Sequence, residues 1–189
     1  MNDADVLRHF RESGALLEGH FRLSSGLHSS GYLQCALVLQ YPDRAGALGA
    51  GIADLARGWQ PTVVLSPALG GIVIGQEVGR ALGVRAIFAE RTEGALALRR
   101  GFSLSPDDRV LVVEDVLTTG GSTRETIAVA EAAGATVVGA AAIMDRSGGA
   151  HGLSVPFAGL CPMTVPAYAE AECPLCRDGV PVTKPGSRR

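Results

Sequence analysis

Residues 110–123 read VLVVEDVLTTGGST. Four apolar residues run straight into two adjacent carboxylates, Glu114 and Asp115. Two threonines, two glycines and two more hydroxyls follow. An unbroken apolar run predicts a strand covered on both faces, because a half-exposed strand would alternate apolar with polar positions. The next stretch, STRETIAVAEAAG (122–134), reads as a helix, so the glycines form the turn between strand and helix. Turns at the carboxyl ends of parallel strands are where open α/β sheets bind ligands.

The same alternation extends on both sides. TVVLS (62–66), VRAIFAE (84–90), RVLVVED (109–115) and ATVVGAAAIMD (135–145) read as strands, with helices expected near 72–82 and 122–134. This order predicts an α/β fold with a mostly parallel central sheet flanked by helices. Upstream, 3–13 reads as a helix ending at Gly14, and 20–40 as strand, polar turn, strand. Residues 42–58 begin with proline and end with glycine, as helices do. Residues 91–105 show no period, and beyond 150 the pattern is irregular, with prolines and short strands. With 189 residues and no repeat or linker, we expect a single domain. Its core is expected at about 42–150, joined by a segment at about 14–40 and the irregular C-terminal stretch.

Composition narrows the function. The chain is 47% hydrophobic with net charge −2, which offers no basic footprint for nucleic acid. No apolar run approaches the roughly 20 residues that cross a bilayer, and the polar start MNDADVLRHF does not resemble a signal peptide. A cytoplasmic location is expected. Of 17 basic residues the only lysine is Lys184, so chemistry needing a lysine elsewhere is excluded. Arginine suits phosphate, although a GC-rich genome would produce the same bias. CPLC (173–176) is a C-x-x-C pair: half a zinc site, a redox pair or neither. A structural zinc site wants a second pair at similar spacing, and none is present; Cys161 and His151 could complete it only through the fold. His9, His20, His28 and His151 have no metal-binding spacing and read as structural or surface residues, so simple packing is the preferred reading of the cysteines.

The 114–122 loop carries the chemistry. Glycines let backbone N–H groups turn toward an anion, and a helix N-terminus adds a favourable dipole. The hydroxyls of Thr118, Thr119, Ser122 and Thr123 add donors. This is a phosphate cradle without the Gly-Lys-Ser/Thr of a Walker loop or a G-x-G-x-x-G fingerprint. An ordinary turn with Ser122 and Thr123 as helix caps would explain the hydroxyls. It would not explain two desolvated like charges. A phosphorylated ribose with Mg²⁺ satisfies both halves: carboxylates on the 2′ and 3′ hydroxyls, loop on the 5′-phosphate.

VLVVEDVLTTGGST resembles the phosphoribosyl-pyrophosphate motif of the type I phosphoribosyltransferases, and SPALGGI (66–72) resembles their pyrophosphate loop. The resemblance implies that fold, with a small N-terminal hood. It also implies a phosphoribosyl-pyrophosphate site built from Ala68, Leu69, Gly70 and Gly71, and from Glu114, Asp115, Val116 and Leu117 through Thr118, Thr119, Gly120, Gly121 and Ser122. GHFRLSSGLHSSGYLQ (19–34) is similar to the hood of the members that use orotate, and IMDRSGG (143–149) to their Asp-Arg stretch. Thr118, Arg146, Ser25 and Gly26 are thereby implied as orotate contacts. The implied reaction gives orotidine 5′-monophosphate and pyrophosphate in pyrimidine biosynthesis. Mg²⁺ would come with the substrate, held in part by Glu114 and Asp115. Asp115, Arg91, Arg99 and Arg100 are the implied catalytic residues, the arginines on a lid at 91–104 that reaches into the partner subunit of a homodimer. Two departures stand out: Ser24 where members often carry lysine, and arginines alone in a lid that often carries lysine and histidine. A purine- or uracil-using relative would lack the hood segment, and a transcriptional regulator would show a basic face; this chain has the first and lacks the second.

Overall fold

The computed structural model describes residues 1–23 and 25–184, so Ser24 lies outside the described residues. The chain opens with helix α1 (Asp3–Glu12), whose N-cap Asn2 and Asp5 satisfy each other's backbone N–H groups. Strands β1 (Leu16–Arg22) and β2 (His28–Leu33) form an antiparallel hairpin. Helices α2 (Cys35–Leu39) and α3 (Pro42–Ala56) lead into β3 (Val63–Pro67). Then come α4 (Gly70–Leu82), β4 (Arg85–Thr92), β5 (Ala95–Leu98), β6 (Arg109–Leu117), α5 (Gly121–Ala132) and β7 (Thr136–Asp145). The chain closes with β8 (Phe157–Pro162), β9 (Ala167–Tyr168) and the single turn α6 (Pro174–Arg177).

Six strands form the central sheet in the order β5-β4-β3-β6-β7-β8. All neighbours are parallel except β4 and β5. Along β3 and β6 the side chains divide between two cores. Val64, Leu111 and Val113 pack under α1–α4. Val63, Leu65, Val110 and Val112 pack with Ile127 and Ala130 of α5. Each strand is dry on both faces, which is why its sequence is a run and not an alternation. The second sheet is small, in the order β1-β2-β9.

Three expectations are corrected. Residues 35–39, read as strand, are helical: Cys35, Val38 and Leu39 fall on one face and are buried. That is the i, i+3, i+4 spacing of a helix, too short to announce itself in sequence. Residues 91–105 are not without secondary structure. β4 runs on to Thr92 and turns back, pairing Arg91 with Leu96 and Thr92 with Ala95. β8, placed with the irregular tail, instead pairs with β7 and extends the central sheet to Pro162.

Helices α3 and α4 cross at a glycine. A Cβ on Gly49 would lie 2.6 Å from Glu77 Cβ and 2.8 Å from its carbonyl carbon, far inside contact distance. Gly49→Val should therefore cost about 2 kcal/mol or more. The check is a lower urea midpoint with an unchanged slope; an unmoved midpoint would show that the helices can part freely.

Candidate functional site

The chain runs from β3 through α4 to β4 on one side, and then returns to place β6 on the other side of β3. Beyond the carboxyl ends of β3 and β6 the connections therefore diverge, leaving a crevice of the kind in which open α/β sheets bind ligands. Two loops line it, Ser66–Gly71 and Glu114–Ser122. The cleft between them is bordered by Pro67, Ala68, Gly70, Arg91, Leu96, Glu114, Asp115 and Ser122.

The acids sit at its floor. Glu114 is 6% exposed and accepts a 2.7 Å hydrogen bond from Ser122 Oγ. Asp115 Oδ1 accepts from the Val116 N–H at 2.8 Å. Burial, and then the adjacent Asp115 charge, raises the Glu114 carboxyl above the ordinary range. Burial raises Asp115 as well. Among the described residues no arginine pairs with either acid; the hydrogen-bond partners are a hydroxyl and backbone amides. A cation or a set of hydroxyl donors would relieve the crowding, and the site fits a divalent metal on that ground. The short loop comes very close: a Cβ on Gly70 would stand 2.7 Å from Asp115 Oδ2, so any side chain there would push the Asp115 carboxylate from its place. Cys35 lies beside the pair, its thiol held protonated by burial first and by the Asp115 charge second.

At the second loop Gly120 adopts a left-handed φ of 74° and precedes α5 with no side-chain cap. The first N–H groups of α5 are thus open to an anion. Thr118 and Thr119 are exposed on the loop. The other hydroxyls expected as phosphate donors serve elsewhere: Ser122 is committed to Glu114, and Thr123 is buried. Neither caps the helix. Arg124 donates to the Thr119 and His151 carbonyls and holds the loop in place.

Arg146 follows β7, its N–H bonded to the Leu117 carbonyl. Its Nε is buried and has no hydrogen-bond partner among the described residues, and burial lowers its pKa from the usual arginine value. A guanidinium in that condition calls for an anion. The hood supplies a neighbour that sequence reasoning passed over. Tyr32 feels both Asp115 and Arg146, and its phenol is raised chiefly by burial. It stands in the same hood motif as Ser25 and Gly26, which lie in the turn between β1 and β2. The Gly26 N–H bonds the Leu23 carbonyl there, and Ser25 Oγ accepts from the Leu27 N–H.

The three lid arginines separate. Arg91 borders the cleft and pairs with Glu125 at 2.7 Å. Arg100 forks onto Glu90 with two 2.8 Å bonds, and Arg99 reaches Thr92. Neither Arg99 nor Arg100 borders the cleft. Away from the cleft, His20 and His28, which have no metal-binding spacing in the sequence, are buried together. Both converge on Cys173 and Cys176, all four ligand atoms lying within 4.8 Å of one another. Cys161 is buried on β8 and His151 lies against Phe157; neither joins them.

Residues 40–152 match the family model described as a phosphoribosyl transferase domain. The chain is 54% identical over 188 residues to an orotate phosphoribosyltransferase of Chlorobaculum parvum, covering all of this chain and 97% of that one. It is 50% identical over 189 residues to an orotate phosphoribosyltransferase of Pelotomaculum thermopropionicum, covering both chains completely. Its fold superposes on the crystal structure of orotate phosphoribosyltransferase from Aeropyrum pernix with a TM-score of 0.70 at 25% identity, over 84% of this chain and 93% of that one.

The raised acids have a consequence for stability. A carboxyl whose folded pKa exceeds its unfolded value keeps its proton in the folded state after the unfolded chain has lost it. The stability this contributes is complete below the unfolded pKa and falls away as pH rises. Removing the charge at Glu114 should therefore help more at higher pH. We expect the stability of Glu114→Gln relative to the parent to grow by more than about 1 kcal/mol between about pH 5 and about pH 8. Denaturant titrations at both pH values read this directly. A constant difference would mean that Glu114 titrates normally.

Proposed function

The chain belongs to the phosphoribosyl transferase family, and from that premise we propose that it transfers ribose 5-phosphate from phosphoribosyl pyrophosphate to N1 of orotate. The products are orotidine 5′-monophosphate and pyrophosphate. The observation that carries the assignment is the adjacent pair of buried Glu114 and half-buried Asp115 beside an uncapped helix N-terminus, at the sheet's own ligand crevice.

The open N–H groups at Gly121 and Ser122, with Thr118 and Thr119, hold the 5′-phosphate. Asp115 and Glu114 accept from the ribose hydroxyls and fix the anomeric carbon over the cleft. Ala68, Leu69, Gly70 and Gly71 lay the start of α4 against the pyrophosphate. Glu114 and Asp115 would hold a Mg²⁺ ion brought by the substrate, which would supply positive charge at the leaving group. Arg91 adds charge from the cleft wall. In the transfer the C1′–O bond breaks and its electron pair leaves with pyrophosphate. Orotate N1 forms the new bond to C1′, and its proton passes to the departing pyrophosphate. The centre develops oxocarbenium character, by analogy with glycosyl transfer. Orotate lies with its carboxylate on Arg146, whose unpaired Nε it satisfies, beneath Tyr32, Ser25 and Gly26 of the hood. This reading carries with it a cytoplasmic homodimer in which Arg99 and Arg100, turned away from their own cleft, serve the neighbouring one.

Two experiments test it. Turnover with orotate, uracil, adenine and hypoxanthine should be confined to orotate, and Arg146→Ala should raise the orotate KM more than about tenfold while leaving that of phosphoribosyl pyrophosphate nearly unchanged. Equal effects on both substrates would remove Arg146 from the orotate site. For sharing between subunits, Asp115→Asn is mixed with a variant lacking Arg99 and Arg100, each strongly impaired alone. Random pairing in a two-fold dimer restores one intact site in half the molecules, roughly a quarter of parental activity. No recovery with subunit exchange verified would place those arginines in their own site, or in none.

A further inference from the structure

We propose that His20, His28, Cys173 and Cys176 form a tetrahedral zinc site that clamps the C-terminal tail to the β1–β2 hairpin. The reading is independent of the transferase activity, because the cluster lies outside the cleft.

The hydrogen bonding defines the problem. His20 Nδ1 lies 2.7 Å from the Val180 carbonyl oxygen. A carbonyl only accepts, so this nitrogen carries the hydrogen, and Nε2 of the neutral ring presents one lone pair. Three groups converge on that lone pair: His28 Nδ1 at 2.8 Å, Cys173 Sγ at 3.5 Å and Cys176 Sγ at 3.6 Å. His28 Nδ1 is also 3.2 Å from Cys176 Sγ. One lone pair accepts one hydrogen, so at most one of these three contacts is a hydrogen bond to Nε2. A central cation takes one lone pair from each of the four atoms and satisfies them at once.

The dimensions agree. Zinc bonds of about 2.0–2.1 Å to nitrogen and about 2.3 Å to sulfur imply tetrahedron edges of roughly 3.3–3.8 Å. Three nitrogen–sulfur separations of 3.2, 3.5 and 3.6 Å match, the nitrogen–nitrogen pair at 2.8 Å has to open by about half an ångström, and all four atoms lie within 4.8 Å of one another. Two thiolates cancel the charge of a divalent ion, so the filled site is neutral where His20, His28 and Cys173 are buried. Soft thiolates with imidazoles in four-fold geometry select zinc over the hard cations. The Val180 carbonyl on His20 Nδ1 is the outer partner that orients a metal-bound imidazole. The cysteines are not joined to each other.

The clamp has a mechanical meaning. His20 stands in β1, where the pairing with β2 shifts register between Glu18 and Phe21, and His28 opens β2. Beyond the cysteines the tail returns to the same hairpin, where Thr183 exchanges backbone hydrogen bonds with His20 and Arg22. The metal would join segments 153 positions apart in sequence.

The test uses full-length protein without an affinity tag. Elemental analysis should find about one zinc per chain, absent from Cys176→Ser and from His28→Gln. Replacement by cobalt should produce the intense visible bands of tetrahedral thiolate coordination. Stripping with a strong chelator should lower the unfolding temperature of the parent by roughly 5 °C or more and leave that of Cys176→Ser unmoved. Because Cys176 is only half-buried, its serine variant should still fold. The proposal is overturned by protein that takes up neither zinc nor cobalt after reduction, by equal metal in parent and variants, or by a mass showing a Cys173–Cys176 disulfide in freshly prepared protein.

Discussion

Two acids on consecutive residues are carried by β6 out of the core into a cleft where no arginine among the described residues pairs with them, and the surrounding structure is arranged around that fact. Burial raises both carboxyls. What offsets it locally is modest: the Ser122 hydroxyl on Glu114, and the Val116 amide on Asp115. Ser122 can do this because α5 begins at Gly121, within reach of the strand it has just left. Gly70 lets the first turn of α4 stand against Asp115 where any side chain would collide. Two helix N-termini thus approach one pair of acids, and partial positive charge replaces the ion pair that a purely structural design would use. The pair remains under-satisfied, and a site of that kind gains most from a ligand that brings donors and a cation together.

Positive charge is organised in a complementary way. Arg146 is half-buried with an unmatched Nε, whereas Arg100 and Arg91 are exposed and already paired. An exposed pair contributes little and exchanges partners readily. Arg100 can leave Glu90 for a stronger anion at small cost, while Arg146 has no alternative partner to leave. The first suits a group that engages during a closing motion, and the second a fixed recognition point.

Much of this was legible in the chain. VLVVED announced a strand dry on both faces because Val110 and Val112 meet α5 while Leu111 and Val113 meet the other helices. Glu114 and Asp115 stood out because no structural role accounts for them there. The losses have physical reasons. Residues 35–39 make barely more than one helical turn, and period cannot be read from one turn. β5 is defined by its partner β4, not by its own four residues. Ser122 and Thr123 look alike as hydroxyls, and only the helix's rotation sends one to Glu114 and the other into the core. Tyr32 was visible in its motif, but its reach to Asp115 and Arg146 depends on how the hood sits. His20 and His28 acquire their meaning from cysteines at the far end of the chain, and no local spacing records that.

The two sheets also differ in what holds them. The six-stranded sheet has a continuous core on each face, so the loops at its carboxyl edge rest on a rigid support. The three-stranded sheet has no such support. Its outer strand β9 is two residues long, and two of the buried residues of its hairpin are the polar His20 and His28. A sheet of that size is marginal by itself. Leu33 ties it to the main core at one end. At the other end, where the turn carrying Ser25 and Gly26 projects, Phe21 packs against Tyr32, and the imidazoles of His20 and His28 lie buried with the Cys173 thiol. Apolar packing at that end is confined to that aromatic pair, which is small for holding a hairpin by itself. Directional bonds add to it, and the tail supplies them where Thr183 bonds the backbone of His20 and Arg22.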